Sequence, residues 1–206
     1  MARAISHPKQ ASINKAILLA MVGLFVLPLI VAMGLYVAGW KPGHTVNHGV
    51  LVQPARPLPD MALQTLQGES VRLRQLRGKW VLVYFGSSAC PDACLRNLYE
   101  MRQVRLALGV HRERVRRVFV LTDLSDVNGL RNKLRDYPGM VVIAGPARNV
   151  TRLTRQFGVG GATSPAQPGV YLVDPLGNLI MHYPTHADPD GMLDDLARLL
   201  RYSWVG

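Results

Sequence analysis

Residues 78–94 read G-K-W-V-L-V-Y-F-G-S-S-A-C-P-D-A-C, and the fold turns on this stretch. Its centre, Trp80–Phe85, is an unbroken apolar run rich in β-formers, the pattern of a central strand buried on both faces. Behind it, Leu95, Leu98, Met101, Val104 and Leu108 recur at helical spacing with arginines between them, which predicts a helix over Ala93–Leu108 packed on that strand. The only two cysteines of the chain, Cys90 and Cys94, fall where strand gives way to helix. At a helix start, residues four apart share a face with α-carbons about 6 Å apart, so a dithiol and a disulfide are both within reach. The partial positive charge of the helix N-terminus favours a thiolate at Cys90, with Asp92 working against it. A disulfide closing so short a loop restrains the unfolded chain little. Thiol exchange or metal capture therefore explains the pair better than stability does; the plain structural alternatives are a permanent bridge or two small buried neighbours.

Outward from this core, Met61–Thr65 and Ser70–Leu73 flank a Gly68 turn and predict a short hairpin. Arg117–Thr122 and Met140–Ile143 read as strands, Asn128–Tyr137 as a helix, and Val150–Phe157 as a helix closed by Gly158. Val170–Val173, the turn Asp174-Pro175-Leu176-Gly177 and Asn178–Tyr183 form a second hairpin. A helix over Gly191–Tyr202 follows, with Met192, Leu196, Leu199 and Leu200 on one face. Strands alternating with helices and ending in a hairpin plus helix specify an α/β domain of three layers around a central mixed sheet.

Ahead of this domain, Ala16 to Trp40 gives 25 consecutive positions without Asp, Glu, Lys, Arg or His. A bilayer core about 30 Å thick takes roughly 20 apolar residues as a helix, and the apolar region of a cleaved signal peptide runs to only about 7–15. Arg3, Lys9 and Lys15 precede the segment and only Lys41 directly follows it. The positive-inside rule then makes residues 1–15 a cytoplasmic N-terminus and 16–40 a single transmembrane helix, with Pro28 at a mid-span kink and Tyr36 and Trp40 at the outer interface. Residues 41–56, with Pro42, Gly43 and Pro54, read as an extended tether, and 57–206 as the folded domain. A bacterial inner membrane with the domain in the periplasm is the simplest fit.

The chain has 24 Lys and Arg against 13 Asp and Glu, a net charge of +11, of which +7 remains on residues 42–206. An exported domain meets no nucleic acid, so the partners of this charge are anionic headgroups and acidic protein surfaces. Its densest run, Arg96, Arg102, Arg105, Arg112, Arg114, Arg116 and Arg117, reads as a solvated helix face followed by a basic turn. There is no serine–histidine–acid arrangement, metal-hydrolase helix or glycine-rich phosphate loop, which sets aside hydrolase and nucleotide-binding activities.

The run at 78–94, with its C-P-x-x-C spacing, resembles the signature of the Sco/SenC proteins, membrane-anchored thioredoxin-fold domains that help to build the copper centre of cytochrome c oxidase. R-R-V-F-V-L-T-D at 116–123, Q-F-G-V at 156–159 and Y-L-V-D-P-L-G-N at 171–178 fit the same pattern, so the similarity spans roughly residues 57–202. The resemblance implies a thioredoxin-like domain. It further implies Cys90 and Cys94 as paired copper(I) thiolates, or as the redox pair that reduces cysteines of an oxidase subunit, with that subunit or other assembly factors as partners.

The sequence departs from the pattern at one point, because T-S-P-A-Q-P-G-V-Y at 163–171 lacks the histidine that serves those proteins as a third copper ligand. A soft ion such as copper(I) accepts two thiolates alone. The candidate substitute ligand is His182, beside Met181 and with His186 four residues on; a solvated turn is the alternative for this histidine pair, and His44 and His48 form a weaker pair. Pro168 stands where thioredoxin-like proteins place a cis-proline beside the cysteines, so the resemblance implies a cis bond and a catalytic position there. Two other functions fit the same residues: a general extracytoplasmic thiol–disulfide oxidoreductase, and a non-catalytic oxidase assembly scaffold working through Arg112, Arg114, Arg116 and Arg117.

Overall fold

A computed structural model of the chain describes residues 8–40, 47–158 and 167–204. It divides into two units, residues 1–46 and 47–206. The described part of the first is a single helix, α1 (Pro8–Val37), that runs through Pro28. Its stretch Ile17–Val37 is long and apolar enough to cross a membrane, and none of its side chains is buried.

The second unit is built on a six-stranded sheet of β1 (Val50–Pro57), β4 (Trp80–Gly86), β5 (Val115–Leu121), β6 (Met140–Ile143), β7 (Gly169–Val173) and β8 (Asn178–Pro184), in the order β1-β8-β7-β4-β5-β6. β4, β5 and β6 are parallel, whereas β7 runs antiparallel to β4 and β8 antiparallel to both β7 and β1. A separate hairpin joins β2 (Ala62–Gln64) to β3 (Ser70–Arg72). The helices are α2 (Asp92–Ala107), α3 (Val127–Lys133), α4 (Ala147–Gln156) and α5 (Pro189–Tyr202).

β4 is central, and its alternating side chains feed two cores. Trp80, Leu82 and Tyr84 join Phe119, Leu172, Met181 and Tyr183 under α2, α3 and α5, through Leu98, Met101, Leu130 and Leu196. Val81 and Val83 join Val118, Val120 and Tyr171 under α4 and the small hairpin, through Leu153 and Leu63. This is the three-layer α/β domain with a central mixed sheet that the sequence specifies.

Two readings are corrected. Residues 50–56, assigned to the tether, form with Pro57 the edge strand β1 paired with β8, so the folded unit starts near Asn47 and not at Pro57. The prolines masked the strand, yet on an edge and across the register shift between Leu51 and Arg56 their missing N–H groups cost no ladder bond. Arg56 strengthens this edge by donating from Nη1 to the carbonyls of Gln156 and Gly158 at 2.9 and 2.8 Å, beyond the end of α4. The helix predicted over Asn128–Tyr137 ends at Lys133 and tightens into a 3₁₀ turn over Leu134–Asp136, because Pro138 disfavours helical backbone at Tyr137.

Candidate functional site

Cys90 and Cys94 are joined as a disulfide, with α-carbons 5.1 Å apart. The central strand delivers the chain to the turn Ser87–Pro91, and α2 begins at Asp92 with Pro91 in extended backbone ahead of it. Cys90 takes φ = 37°, a left-handed conformation that costs a non-glycine residue energy and persists only where its surroundings hold it. Those surroundings are specific. The Cys90 N–H donates to the Ser87 carbonyl at 3.1 Å, and Lys133 Nζ on α3 donates to the carbonyls of Ala89 and Cys90 at 2.7 and 3.0 Å. Asp123, at the end of β5, accepts from the Ser88 N–H at 3.3 Å, the Ser88 hydroxyl at 3.0 Å and the Ser125 hydroxyl at 2.7 Å. The Ser88 hydroxyl oxygen in turn accepts from the Asp126 N–H at 2.8 Å. These bonds hold the Asp123 carboxyl far below the usual carboxylate range.

Asp123 and the Asp126 N–H thus brace the cysteine turn. Lys133 lies 43 residues from Cys90, and no local sequence signal links the two. Its positive charge adds to the helix N-terminus in favouring a thiolate once the bridge is reduced. Both cysteines are almost inaccessible, at 0% and 4% exposure, and lie in the core under α2. In this conformation neither sulfur is open to an outside reactant.

The other candidates lie elsewhere. His182 sits on β8 opposite Tyr171 and is 2% exposed. Tyr171 belongs to the core under α4, while the neighbours of His182 along the strand, Met181 and Tyr183, join the core that holds the cysteines. Strand alternation thus turns the His182 ring to the face of the sheet away from the disulfide. There it stacks on Tyr171 at a centroid distance of 4.4 Å, and its Nε2 lies 3.3 Å from the Pro168 carbonyl. Burial lowers its pKa. The expected consequence is a fold that loses stability as the pH drops below about 6.5, where the unfolded chain gains the proton first. Equilibrium unfolding at pH 7.5 and 5.5 checks this, and His182→Phe should flatten the dependence.

His186, with φ = 70°, lines a small pocket against α2 together with Ala93, Arg96, Asn97, Glu100 and Thr185, on the cysteine side of the sheet. Burial raises the pKa of Glu100 there against the pull of Arg96 and His186. His48 lies at the entry to β1, and His44 falls outside the described residues. Pro168 precedes β7 at the cysteine-bearing end of β4, but the cis bond expected there is absent: the one cis peptide among the described residues is Gln53–Pro54. In this arrangement the Gln167 carbonyl accepts from the Tyr171 hydroxyl at 2.8 Å, while the Pro168 carbonyl faces His182. Among the described residues no group of three His, Cys, Asp or Glu is placed to hold a metal ion. Residues 159–166, which lie outside the described residues, contain none of these types. From the described residues, the reduced site therefore offers a metal two sulfurs.

Residues 80–203 match the family model described as transmembrane-like, thioredoxin-like, C-terminal domain. Among curated proteins, the mitochondrial SCO2 homolog of Danio rerio is 29% identical over 142 residues, covering 66% of this chain and 49% of that protein. Among solved structures, apo Sco1 from Thermus thermophilus aligns with a TM-score of 0.63 at 26% identity, over 77% of this chain and 99% of that one. Yeast Sco1 with copper bound aligns with a TM-score of 0.61 at 22% identity, over 73% and 96%. The chain thus belongs to the transmembrane-like, thioredoxin-like family, and its thioredoxin-like fold is that of the Sco/SenC proteins.

Proposed function

We propose that this chain is a membrane-anchored Sco-like factor that assists assembly of the cytochrome c oxidase copper site through Cys90 and Cys94. The observation behind this reading is the Cys90–Cys94 pair itself, at the start of α2 and the end of the central strand, braced by Asp123 and Lys133. Copper(I) is the cargo: two thiolates suit a soft ion, and two-coordinate binding without an imidazole favours handing it on over keeping it. The copper-bound yeast relative supports this chemistry. The partner is an oxidase subunit or another assembly factor. With the apolar helix at Ile17–Val37 as anchor, the N-terminus is cytoplasmic and the domain is held at the outer face of a bacterial inner membrane, where anchoring raises its effective concentration near a membrane-bound partner.

The bridged state favours a second reading, in which the same pair exchanges disulfides. The Cys90 thiolate attacks a substrate disulfide and the leaving sulfur departs as a thiolate. Cys94 then attacks Cys90 in the mixed disulfide, so the substrate gains two electrons and the Cys90–Cys94 bridge re-forms. Pro168, near the cysteine end of the sheet, is the backbone position against which a substrate segment would lie.

The test is a strain carrying Cys90→Ser and Cys94→Ser at normal protein level. Its oxidase activity should fall to the level of the deletion strain, with copper added to the medium restoring it in part. Normal activity in that strain would overturn the assignment. Broad loss of reduced thiols on exported proteins, with no effect of copper, would favour the exchange reading.

A further inference from the structure

Arg117 departs from the solvated basic face expected of the arginine run. On β5 it pairs with Leu82 of β4 and Met140 of β6, its side chain shares the α2 face with Val115 and Phe119, and it is only 3% exposed. Its Nη2 donates to the Pro138 carbonyl at 2.6 Å, whereas Nε and Nη1 are buried with no hydrogen-bond partner. The charged groups that act on it are themselves positive, Arg105 and Arg102 of α2. Arg105 is held at the strand by its Nε bond to the Val115 carbonyl at 2.8 Å, two residues from Arg117 on the same face. The nearby carboxylate, Glu113, pairs with Arg105 at 3.1 Å and Arg112 at 3.4 Å, and among the described residues no ion pair reaches Arg117.

A buried charge without a partner is the arrangement that proteins avoid. A lysine or histidine could escape by losing its proton, but a guanidinium cannot. Water could take up the N–H groups of Nε and Nη1, yet it would leave the charge uncompensated. The C-terminal end of α2 offers only about half an elementary charge for three guanidiniums. What balances both the hydrogen bonds and the charge is a small oxyanion, whose oxygens match the planar fork of arginine donors.

We propose that Arg117, together with the half-buried Arg102 and Arg105, forms a binding site for a phosphate-class oxyanion between α2, β5 and the Pro138 turn. The site is separate from the disulfide and independent of its chemistry. Its ligand is either free inorganic phosphate or the phosphate of an anionic lipid headgroup, and the two sources are separable by experiment.

The test is thermal unfolding of the full chain in neutral detergent, titrated with inorganic phosphate or sulfate against chloride at fixed ionic strength. Phosphate and sulfate should raise the midpoint saturably and chloride should not. Arg117→Met should abolish the response while being no less stable than the wild type in phosphate-free buffer, because it removes an uncompensated charge. Arg102→Gln, at a partly exposed position, should weaken the apparent affinity at least threefold and carries the test if the Arg117 variant does not fold. In nanodiscs, stabilisation by phosphatidylglycerol over phosphatidylcholine that depends on Arg117 would assign the headgroup, and a response to free phosphate alone would assign the ion. The proposal is overturned if neither source stabilises the wild type beyond chloride, or if both variants respond as the wild type does.

Discussion

Reduced full-length protein should take one copper(I) per chain from a competing chelator, and the Cys90→Ser, Cys94→Ser variant should take none. The oxidised protein should also take none, since both thiols are consumed in the bridge. The size of the effect follows from the donor set. Among the described residues no third His, Cys, Asp or Glu is grouped with the cysteines, so removal of the sulfurs takes away both thiolates of the donor set, and affinity should fall by orders of magnitude rather than by a small factor. His182→Ala should leave the titration unchanged, because its ring faces the other side of the sheet against Tyr171. His186→Ala is the informative histidine variant, since this residue shares the cysteine side with α2. Copper bound equally well by the double-serine variant would sink the dithiol as the copper site. No uptake by the reduced wild type would leave thiol exchange as the chemistry of Cys90 and Cys94.

How far the sequence announces this arrangement depends on whether its cues are local. A central strand buried on both faces must be continuously apolar, so Trp80–Phe85 identifies β4 unaided. The Asp174–Gly177 turn is equally plain. Asp174 Oδ1 accepts from the N–H groups of Leu176 and Asn178 at 2.9 and 2.8 Å, and Gly177 supplies φ = 91°, which fixes the β7–β8 hairpin from four residues. β1 is hidden because its prolines exclude a central strand and an edge strand still accommodates them. The error over His182 is one of register: which face it takes is undefined until β8 is paired with β7, and a shift of one residue would have turned it toward the cysteines. Arg117 could have been found. Val115, Arg117, Phe119 and Leu121 alternate along one strand, so a strand begun at Val115 places this arginine among apolar partners. Lys133 and Asp123 are different, because only the assembled sheet brings them to the Ala89 and Ser88 backbone.

Replacement of Asp195 by alanine should cost about 3–5 kcal/mol, more than any other single carboxylate removal in the domain. Asp195 is 2% exposed in the interior of α5. Its carboxylate accepts from the backbone N–H groups of His48 and Gly49, each at 3.0 Å, and from the Tyr183 hydroxyl at 3.2 Å. Burial and the adjacent carboxylate push the Tyr183 hydroxyl far up, so it stays a donor. Three donors from two distant segments thus converge on one side chain, and alanine would strand two of them, the Gly49 N–H and the Tyr183 hydroxyl, in the core. The fit around this clasp is close, because a Cβ at Gly49 would meet Met181 Sδ at 2.5 Å and one at Gly191 would meet His48 Cγ at 2.6 Å. Asp195→Asn keeps an acceptor and should lose about half as much. Asp194→Ala, at a neighbour whose side chain is 68% exposed, should stay within about 0.5 kcal/mol of the wild type. Urea unfolding of the three variants measures the ranking, and hydrogen exchange locates it. Since the clasp ties the start of the folded unit to α5, the amides of Val50 to Val52 should exchange faster in Asp195→Ala before the rest of the sheet does. An Asp195→Ala protein no less stable than Asp194→Ala would mean that the entry to β1 is held by its pairing with β8 alone.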